Sequence, residues 1–502
     1  MQAVLPRHSD SGPSHESARV RLWPVVAGLA LLLFALALRA STFGDPNLHD
    51  DEVFYQTVGI AMHGIDGRPG VLPYVDAWDR KPFGLFALYY LFAFLSHGPL
   101  AYQLVATLFA AGTAGIITAL ARSWSNRPGA LMAGALYLTW LETFQGFGGQ
   151  SPVFYNLFIA AAALIVWRQR TQLRSGRVPA PVYGAMLLAG LAITIKQTAF
   201  FEAVFLGLYA CAMLRSSAPP RRRLIGIALC LAATGAAPAL LISLGYALDG
   251  HWAIYWHAMV TSNFAKPAAP LTGAIRAAIT LLLIAPLLVL LALSLTVMKA
   301  EPRRFVLCWL GAALLGLLVV PAFHLHYSLP ILVPLCAASG GFLQSRITGP
   351  IAFAVIAAMA LKDSSVLDFQ HAARSRAAMA RMAEAIRHHD DGPLFVYDGP
   401  VQLYPLTGHS FVSPLVFPPH LEHAIEKDVS HLSTLGEVRR VLALRPGTVV
   451  TSTQPRENPA NAKTLAAVNA YIHTHCRRVE TVPTPLWLRE DQTEIWADCR
   501  RN

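Results

Sequence analysis

Charged side chains are scarce in this chain of 502 residues. Asp, Glu, Lys and Arg make up 14% of it, and apolar residues make up 54%. A soluble domain carries roughly 25% charged residues. The mean hydropathy is +0.45. This shortage of charge excludes a soluble globular enzyme and an intrinsically disordered chain. Because the apolar residues are gathered in long runs, a lipid bilayer is the expected solvent.

Cysteine is also scarce, with six residues in the chain, and this excludes a disulfide-dense secreted scaffold. Four of the six lie inside apolar runs, where a thiol acts as a small packing residue. These are Cys211, Cys230, Cys308 and Cys336. Cys476 and Cys499 lie in the more polar C-terminal part. The sequence does not show whether their Cα atoms are close enough to bond, so a disulfide between them is left open.

Runs without Asp, Glu, Lys or Arg divide the first 361 residues into segments of about 20 residues, the length that crosses a bilayer. They predict eleven transmembrane helices. The ranges are 22–40, 100–121, 128–146, 152–167, 180–196, 200–214, 224–248, 273–298, 305–321, 328–344 and 347–361. A further apolar segment after Lys81, PFGLFALYYLFAFLS, is predicted to lie along the membrane surface.

Basic residues in the short loops indicate the orientation, because they accumulate on the cytoplasmic side. With a cytoplasmic N-terminus, seventeen Lys and Arg residues fall inside and five lie in the opposite short loops. The net charge of +11 is therefore largely a topology signal and requires no nucleic-acid partner. A cleaved signal peptide within residues 1–40 is the alternative. The apolar stretch is longer than the usual length of about 7–15 residues, which favours a retained helix.

An odd number of spans places residues 362–502 outside the cytoplasm. There PLFVYD (393–398) and GTVVTS (447–452) predict buried strands, with helical segments around them. We therefore expect an all-α polytopic membrane bundle over residues 22–361, after a cytoplasmic tail at 1–21. A periplasmic α/β domain at 362–502 follows it. No glycine-rich phosphate loop follows either strand, so nucleotide binding is not predicted.

The first outer loop, residues 41–81, is long and unusually polar. It contains an acidic run of Asp50, Asp51 and Glu52. Three adjacent carboxylates repel one another, so at least one should have a raised pKa unless a cation lies near. Arg80 and Lys81, at the end of the loop, are candidate cations. The alternative is a solvated helix start, because acidic residues suit a helix N-terminus.

Three motifs of this chain resemble those of the GT-C glycosyltransferases. In the first outer loop, DEVFY (51–55) is followed by LPYVDAWDRKPFG (72–84). LAITIKQTAF (191–200) is similar to a Lys-containing fifth span, and HLHYSLPILVPL (324–335) to a Tyr-x-x-Pro-x-x-Pro element. The subset that the chain resembles is the protein O-mannosyltransferase and lipid A aminoarabinose transferase type (family 39/83-like), which includes rhizobial core-sugar transferases.

The resemblance implies a GT-C fold in a bacterial inner membrane and the transfer of a sugar from a polyprenyl-phosphate donor. The acceptor is a glycan, lipid or protein on the periplasmic side. Such an enzyme inverts the anomeric centre, and neither a metal nor another cofactor is expected here. By the resemblance Asp51 is the catalytic base and Glu52 supports or orients it. Asp50 directly precedes this pair, so the position of the base is ambiguous by one residue.

Two further groups of residues follow from the resemblance. Donor-phosphate contacts are expected from Lys81, Lys196, His324, His326 and Tyr327. Substrate-lining residues are expected to be Asp50, Tyr55, Asp79, Arg80, Gln150, Trp256 and Lys266. In some relatives an acidic residue directly precedes the Lys of the Lys-Pro motif, whereas this chain has Arg80. That departure argues against a second carboxylate or a metal at this point.

Several of these residues have a second possible role. Lys196 is either a phosphate contact or the partner of Glu202 in an ion pair, because a charge at membrane depth needs a partner or a cavity. Trp256 belongs either to an interfacial aromatic belt or to a sugar-stacking surface. His324 and His326 supply too few ligands for a metal site. Gln150 stands where many relatives carry an acidic residue.

Two other classes of protein compete with the enzyme. A transporter or flippase of lipid-linked sugars would show midplane ionisable residues and repeated halves. Here the polar residues gather at one face, and no halves match. A structural or sensory membrane protein would leave the acidic loop unexplained. The sequence identifies neither the sugar nor the acceptor.

Overall fold

The computed structural model describes residues 15–64, 69–265, 270–362, 364, 366–486 and 489–499. Up to residue 362, this part of the chain forms helices α1 to α15. Their bounds are His15–Leu38, Asp50–Ala61, Phe83–Ala93, Pro99–Ala121, Arg127–Thr143, Ser151–Arg174, Ala180–Ile195, Phe200–Arg215, Arg221–Leu248, Trp252–Trp256, Ser262–Ala265, Pro270–Val297, Ala300–Leu318, Leu329–Leu343 and Thr348–Lys362.

Six helical segments within the described ranges are long and apolar enough to cross a membrane. They are Pro99–Ala121, Ser151–Arg174, Gln197–Arg215, Arg221–Leu248, Pro270–Val297 and Leu325–Leu343. Shorter apolar helices lie at Leu22–Leu38, Phe83–Ala93, Ala180–Ile195 and Thr348–Lys362. Each of the eleven predicted spans coincides with a helix, so the mostly helical membrane fold is confirmed. The number of eleven crossings stays a prediction.

Small residues let the apolar helices approach one another closely, as is usual in lipid. A Cβ on Gly134 of α5 would lie 2.6 Å from the carbonyl oxygen of Ala114 in α4. A Cβ on Gly190 of α7 would lie 2.2 Å from the carbonyl oxygen of Gly235 in α9. Glycine is therefore required at both crossings, because any side chain would push the helices apart.

The C-terminal residues form a four-stranded sheet with helices around it. The helices α16 to α20 are Phe369–His388, Leu403–Thr407, Pro419–Glu422, Thr434–Ala443 and Ala462–His475. The strands β1 to β4 are Leu394–Val396, Thr448–Ser452, Arg477–Leu486 and Arg489–Ala497. The sheet order is β1-β2-β4-β3. β1 pairs parallel to β2, with Leu394 opposite Thr448, and β4 is antiparallel to both β2 and β3.

Both strands predicted from the sequence are present, as β1 and β2. The hairpin of β3 and β4 was not predicted, because its segments carry prolines and charges in place of a plain apolar alternation. Pro483 and Pro485 lie in β3, which pairs with β4 alone and is an edge strand. An edge strand tolerates proline because half of its backbone groups need no ladder partner.

The C-terminal residues pack directly on the polar loop 41–81. His371 Nδ1 lies 2.7 Å from the Asp45 carboxylate, and the side chain of Gln402 donates to the Pro46 carbonyl at 2.8 Å. At the other end of the loop, the backbone N–H of Trp78 donates to the Pro414 carbonyl at 2.8 Å. Contacts at both ends therefore fix the loop that carries the acidic run.

Cys476 and Cys499 form a disulfide. The sequence had left this bond open. Cys476 follows α20 and Cys499 follows β4, so the bond ties the last strand to the helix before the hairpin. A disulfide of this kind is typical of an oxidising compartment.

Replacing both bonded cysteines with Ser should lower the midpoint of thermal unfolding of the detergent-solubilised protein. The bond spans a sequence separation of 23 residues, and closing a loop of that size contributes about 3 kcal/mol in the chain-entropy model. Differential scanning fluorimetry measures the change. Cys308→Ser, at an exposed free cysteine, is the matched control. Equal midpoints for the double variant and the control would contradict a structural disulfide.

Candidate active site

The acidic run forms the first turn of helix α2, Asp50–Ala61. Its N-cap, His49, accepts a hydrogen bond at Nδ1 from the backbone N–H of Asp51, at 3.3 Å. Three carboxylates in a first turn suit the positive end of the helix dipole. Because residues four apart share a face of a helix, Asp51 and Tyr55 point to the same side.

Lys81 meets this face of α2 from the end of the loop. Its Nζ lies 3.5 Å from Asp51 Oδ2 and donates to the Tyr55 hydroxyl at 2.5 Å. The Asp51 side chain is 18% exposed and that of Lys81 is 17% exposed. The expected meeting of the acidic run with a cation is therefore present, and the pair is reachable from solvent.

The charges around Asp51 keep it ionised. Burial alone would raise the pKa of Asp51, but Lys81, His49 and His326 together hold it well below its usual range. Burial alone would lower the pKa of Lys81, but Asp51 and Asp79 raise it above its usual range. The two groups therefore form a stable ion pair at neutral pH.

The backbone of the loop holds Lys81 in place. Tyr74 donates from its hydroxyl to the Lys81 carbonyl at 2.9 Å. Tyr74 is fully buried and has a φ of 70°, in the left-handed region that bulky residues avoid. Such a conformation costs about 1–3 kcal/mol and persists only where the surroundings determine it. Its ring packs against Tyr246 and Tyr255, with centroids 5.4 and 5.6 Å away.

Lys196, at the end of the fifth predicted span, and residues of the turn between the ninth and tenth spans complete the cluster. His326 Nε2 lies 3.8 Å from Asp51 Oδ2, and its ring meets that of His49 edge to face at 5.3 Å. Tyr327 lies beside His326, and the Nζ of Lys196 lies 4.4 Å from the centre of the Tyr327 ring. His324 is also adjacent, with its ring 5.7 Å from that of His326.

The alternative of a Lys196–Glu202 ion pair is wrong. Glu202 instead accepts a hydrogen bond from the indole of Trp309 at 2.7 Å. Lys196 follows the last residue of α7 with an extended backbone conformation, which carries its side chain toward the outer cluster.

Arg80 points away from Asp51 and is engaged by the C-terminal part. Its Nη2 lies 2.7 Å from Glu426 Oε1. Its backbone N–H donates to the carboxylate of Asp79, which is buried. Arg80 thus links the Lys-Pro element of the loop to the segment that precedes α19.

Glu52 lies on a different face of α2 from Asp51. Its carboxylate is fully buried, and a Cβ on Gly148 would come within 2.1 Å of it. Burial raises the pKa of Glu52 to about 8, although the backbone N–H of Gly149 and the guanidinium of Arg39 favour the charged form. The role of Glu52 as a support for Asp51 stays a prediction.

Three of the expected substrate-lining residues lie away from the Asp51–Lys81 pair, namely Gln150, Trp256 and Asp50. Gln150 is buried at the N-cap of α6, next to the glycines that face Glu52. Trp256 is 47% exposed on α10, with its ring 5.4 Å from that of Trp252. Lys266 lies outside the described residues. Asp50 is exposed at the start of α2, on the side away from Lys81.

Sequence reasoning missed three members of the site. His49 accepts from the backbone N–H of Asp51, but histidine is not among the usual N-cap residues, so the sequence carried no signal for this cap. Tyr74 and Glu426 gave no local signal, because their roles arise from contacts with Lys81 and with the distant Arg80. Within the described ranges, no group of three His, Cys, Asp or Glu residues could hold a metal ion.

These features define a multi-pass helical membrane protein with a charged cluster at one end of its bundle. Two solved structures share this architecture, both of ArnT from Cupriavidus metallidurans, one bound to undecaprenyl phosphate and one in the apo state. Each superimposes with a TM-score of 0.58 at 13% sequence identity. The match covers 95% of this chain and 98% of that chain for the bound form, and 97% and 98% for the apo form. No protein-family model and no curated protein matches the sequence.

The likeness shows the fold. The fold that the loop motifs imply is therefore confirmed, at the level of the fold alone. An identity of 13% carries no residue roles from ArnT to this chain. Those roles depend on the geometry described above.

Glu52→Gln should change how stability depends on pH. A carboxyl whose pKa is raised on folding stabilises the protein fully below its unfolded pKa and loses that contribution as pH rises through about 8. The unfolding midpoint of the wild type should therefore fall more steeply than that of Glu52→Gln between pH 5 and pH 9. Scanning fluorimetry at several pH values tests this expectation.

The matched control for that comparison is Glu384→Gln, at an exposed glutamate on α16. We expect this variant to follow the wild-type curve throughout the pH range. Parallel curves for the wild type and Glu52→Gln would show that Glu52 is not held neutral by burial.

Proposed function

We propose that this protein is an integral membrane glycosyltransferase that uses a polyprenyl-phosphate sugar as donor. The observation that carries the proposal is the ion pair of Asp51 and Lys81 at one end of the bundle, with Lys196 beside it. An ionised carboxylate next to a lysine ammonium suits a reaction in which a hydroxyl loses a proton and a phosphate leaves.

The transfer is a single displacement with inversion. The acceptor O–H bond breaks and its proton goes to the Asp51 carboxylate, while the acceptor oxygen forms a bond to the anomeric carbon. The bond between that carbon and the phosphate oxygen breaks, and the polyprenyl phosphate leaves with the electron pair. Lys81 and Lys196 balance its negative charge.

The ion pair explains how a weak base becomes effective when substrate binds. In the free protein Lys81 neutralises Asp51 and keeps its pKa low. A donor phosphate binds Lys81 as a second anion, and charge-assisted hydrogen bonds to phosphate are strong. Lys81 is then shared between the two anions, so the pKa of Asp51 rises toward the range of a useful base. Tyr55, which accepts from Nζ, keeps the Lys81 side chain in place during this exchange.

The fold supports a lipid-linked donor. One of the matching ArnT structures holds undecaprenyl phosphate, and a polyprenyl chain needs a site at membrane level. In this chain Lys196, His324, His326 and Tyr327 lie where predicted spans five, nine and ten reach the loop. They are the residues that would meet a phosphate arriving from the bilayer.

The proposed orientation has the N-terminus in the cytoplasm of a bacterium and residues 362–502 in the periplasm as a separate α/β domain. The distribution of basic residues supports this orientation. So does the disulfide of Cys476 and Cys499, since thiols stay reduced in most cytoplasmic proteins. The acceptor is a cell-envelope glycan, lipid or protein.

Asp51→Asn should abolish sugar transfer while the protein remains folded. Loss of a general base costs about 10²–10⁴-fold in rate. The assay supplies the purified protein in nanodiscs with a panel of polyprenyl-phosphate sugars and an envelope-glycolipid extract, and product is followed by mass spectrometry. Asp249→Asn, at a largely exposed aspartate paired with His251, is the control and should transfer at the wild-type rate.

Transfer by Asp51→Asn at a rate near that of the wild type would contradict the proposed role of this carboxylate. Movement of the intact lipid-linked sugar between leaflets, without any product, would favour a flippase in place of a transferase.

Lys81→Met should weaken binding of undecaprenyl phosphate. A charge-assisted hydrogen bond contributes about 1.5–3 kcal/mol, so the half-saturating concentration should rise by about tenfold or more. The readout is the thermal shift produced by undecaprenyl phosphate in nanodiscs. Lys362→Met, on the last turn of α15, serves as the control. An unchanged binding curve for Lys81→Met would contradict a phosphate contact at this position.

A further inference from the structure

Helix α9 lies at the edge of the bundle and is open to lipid along most of its length. The structure describes all 28 of its residues, and those that are buried are Leu231, Gly235 and Tyr246. Gly235 lies in the middle of the helix, at its crossing with α7. Tyr246 lies near the end, is 6% exposed and contacts the loop that carries Lys81. A peripheral helix therefore reaches the candidate site through a buried tyrosine.

Tyr246 contacts the part of the loop that precedes Lys81. Its hydroxyl donates to the carbonyl of Pro73 at 3.2 Å. Its ring centre lies 5.4 Å from that of Tyr74, and Tyr74 in turn donates to the carbonyl of Lys81 at 2.9 Å. One intervening residue thus links Tyr246 to the backbone of the lysine.

Tyr246 also contacts the chain that follows Lys81. Phe83 is the first residue of α3, two positions beyond the lysine. Its ring meets that of Tyr246 edge to face, with the centroids 6.0 Å apart. The segments before and after the lysine therefore pack on the same tyrosine ring.

The contacts before Lys81 explain how the loop keeps an unfavourable backbone conformation. Tyr74 has a φ of 70°, and a bulky residue stays in that region only where its surroundings determine it. Its backbone N–H donates to the carbonyl of Ala77 at 2.7 Å, a bond within the loop. Tyr246 adds a bond from outside the loop, to the carbonyl just before Tyr74. Without this support Tyr74 would relax, and its bond to the Lys81 carbonyl would weaken.

Tyr255 of α10 supports the Tyr246 ring from its other face. The two rings are stacked, with centroids 4.7 Å apart and 12° between their planes. The Tyr255 hydroxyl accepts from the hydroxyl of Ser243 on α9 at 3.3 Å. Stacked and edge-to-face arrangements are the favourable ones for aromatic pairs. The ring of Tyr246 is therefore fixed before it meets the loop.

We propose that Tyr246 is a positioning residue that holds Lys81 beside Asp51 by fixing the chain on both sides of the lysine. It acts through Tyr74 and Phe83. The inference rests on the proposed function only in making Lys81 the cation that receives the donor phosphate. A change in a lipid-facing helix can thus reach the candidate site without altering any of its charges.

Chemical labelling of Lys81 tests the proposal without a donor. Sulfosuccinimidyl acetate acetylates uncharged lysine amines, and peptide mass spectrometry measures the product in the full-length protein in nanodiscs. Burial alone would lower the pKa of Lys81, but Asp51 and Asp79 raise it above its usual range, which protects the amine in the wild type. Lys299, exposed at the N-cap of α13, is the internal reference.

Tyr246→Phe removes the bond to the Pro73 carbonyl and keeps the ring. Loss of one neutral hydrogen bond changes an equilibrium by about two- to tenfold, so acetylation of Lys81 relative to Lys299 should rise by that factor. Tyr246→Leu removes the ring as well and should raise the ratio further. It should also move the onset of Lys81 labelling to lower pH, because a lysine that leaves Asp51 loses its raised pKa.

Tyr471→Phe is the matched control, because Tyr471 on α20 also donates to a proline carbonyl, that of Pro446, at 3.2 Å. It should give the wild-type ratio. Equal ratios in the wild type, Tyr246→Phe and Tyr246→Leu at every pH would overturn the proposal, and so would an equal rise in Tyr471→Phe. Should Tyr246→Leu fail to fold, the comparison of the two Phe variants decides the question.

A thermal-shift titration with undecaprenyl phosphate separates this inference from the proposed function. Tyr246→Phe should raise the half-saturating concentration by about two- to tenfold, whereas Tyr471→Phe should leave it unchanged. Absence of any shift in the wild type, together with raised acetylation in Tyr246→Phe, would overturn the donor assignment and leave the positioning role standing. A normal shift with unchanged acetylation ratios would overturn the positioning role and leave the donor assignment standing.

Discussion

The ion pair between Asp51 and Lys81 is the interaction on which the rest of the site depends. Each partner compensates the charge of the other, and both side chains are only 17–18% exposed, so neither charge is held alone. The fold therefore fixes both partners from several directions. His49 caps the helix that carries Asp51, and Tyr74 holds the backbone that carries Lys81. The pair can stay intact until a phosphate arrives to compete for the cation.

The C-terminal part holds the loop 41–81 in position. It contacts the loop at Asp45 through His371 and at Trp78 through Pro414, and Glu426 binds Arg80, the residue next to Lys81. Its inner surface also lies beside Asp50 at the start of α2. The C-terminal part thus shapes both sides of α2, so a change there can affect the candidate base without touching it.

The sequence predicted the parts of the structure that depend on local pattern. Apolar runs located the helices, the buried-strand segments PLFVYD and GTVVTS located β1 and β2, and the polar loop contained Asp51 and Lys81. It could not predict contacts between distant segments. The Arg80–Glu426 pair joins residues 346 positions apart. The Cys476–Cys499 bond depends on the hairpin of β3 and β4, which was not predicted because β3 contains prolines.

The position of Glu52 could not be predicted from the pattern of charges either. Adjacent acidic residues suggested one solvated cluster, yet successive residues of a helix point about 100° apart. Asp51 therefore meets Lys81, while Glu52 enters a pocket that depends on the missing side chain of Gly148. The repulsion expected among the three carboxylates is relieved in two ways: a cation keeps Asp51 charged, and burial keeps Glu52 neutral.

A cryo-electron microscopy structure of the protein in nanodiscs with undecaprenyl phosphate tests the central claim most directly. The account predicts the phosphate within about 3 Å of Lys81 Nζ, the usual length of a charge-assisted hydrogen bond, with Asp51 beside it. A phosphate bound at another cationic cluster, such as Arg170 and Arg174 on the opposite side of the bundle, with the Asp51–Lys81 pair unchanged, would contradict the account.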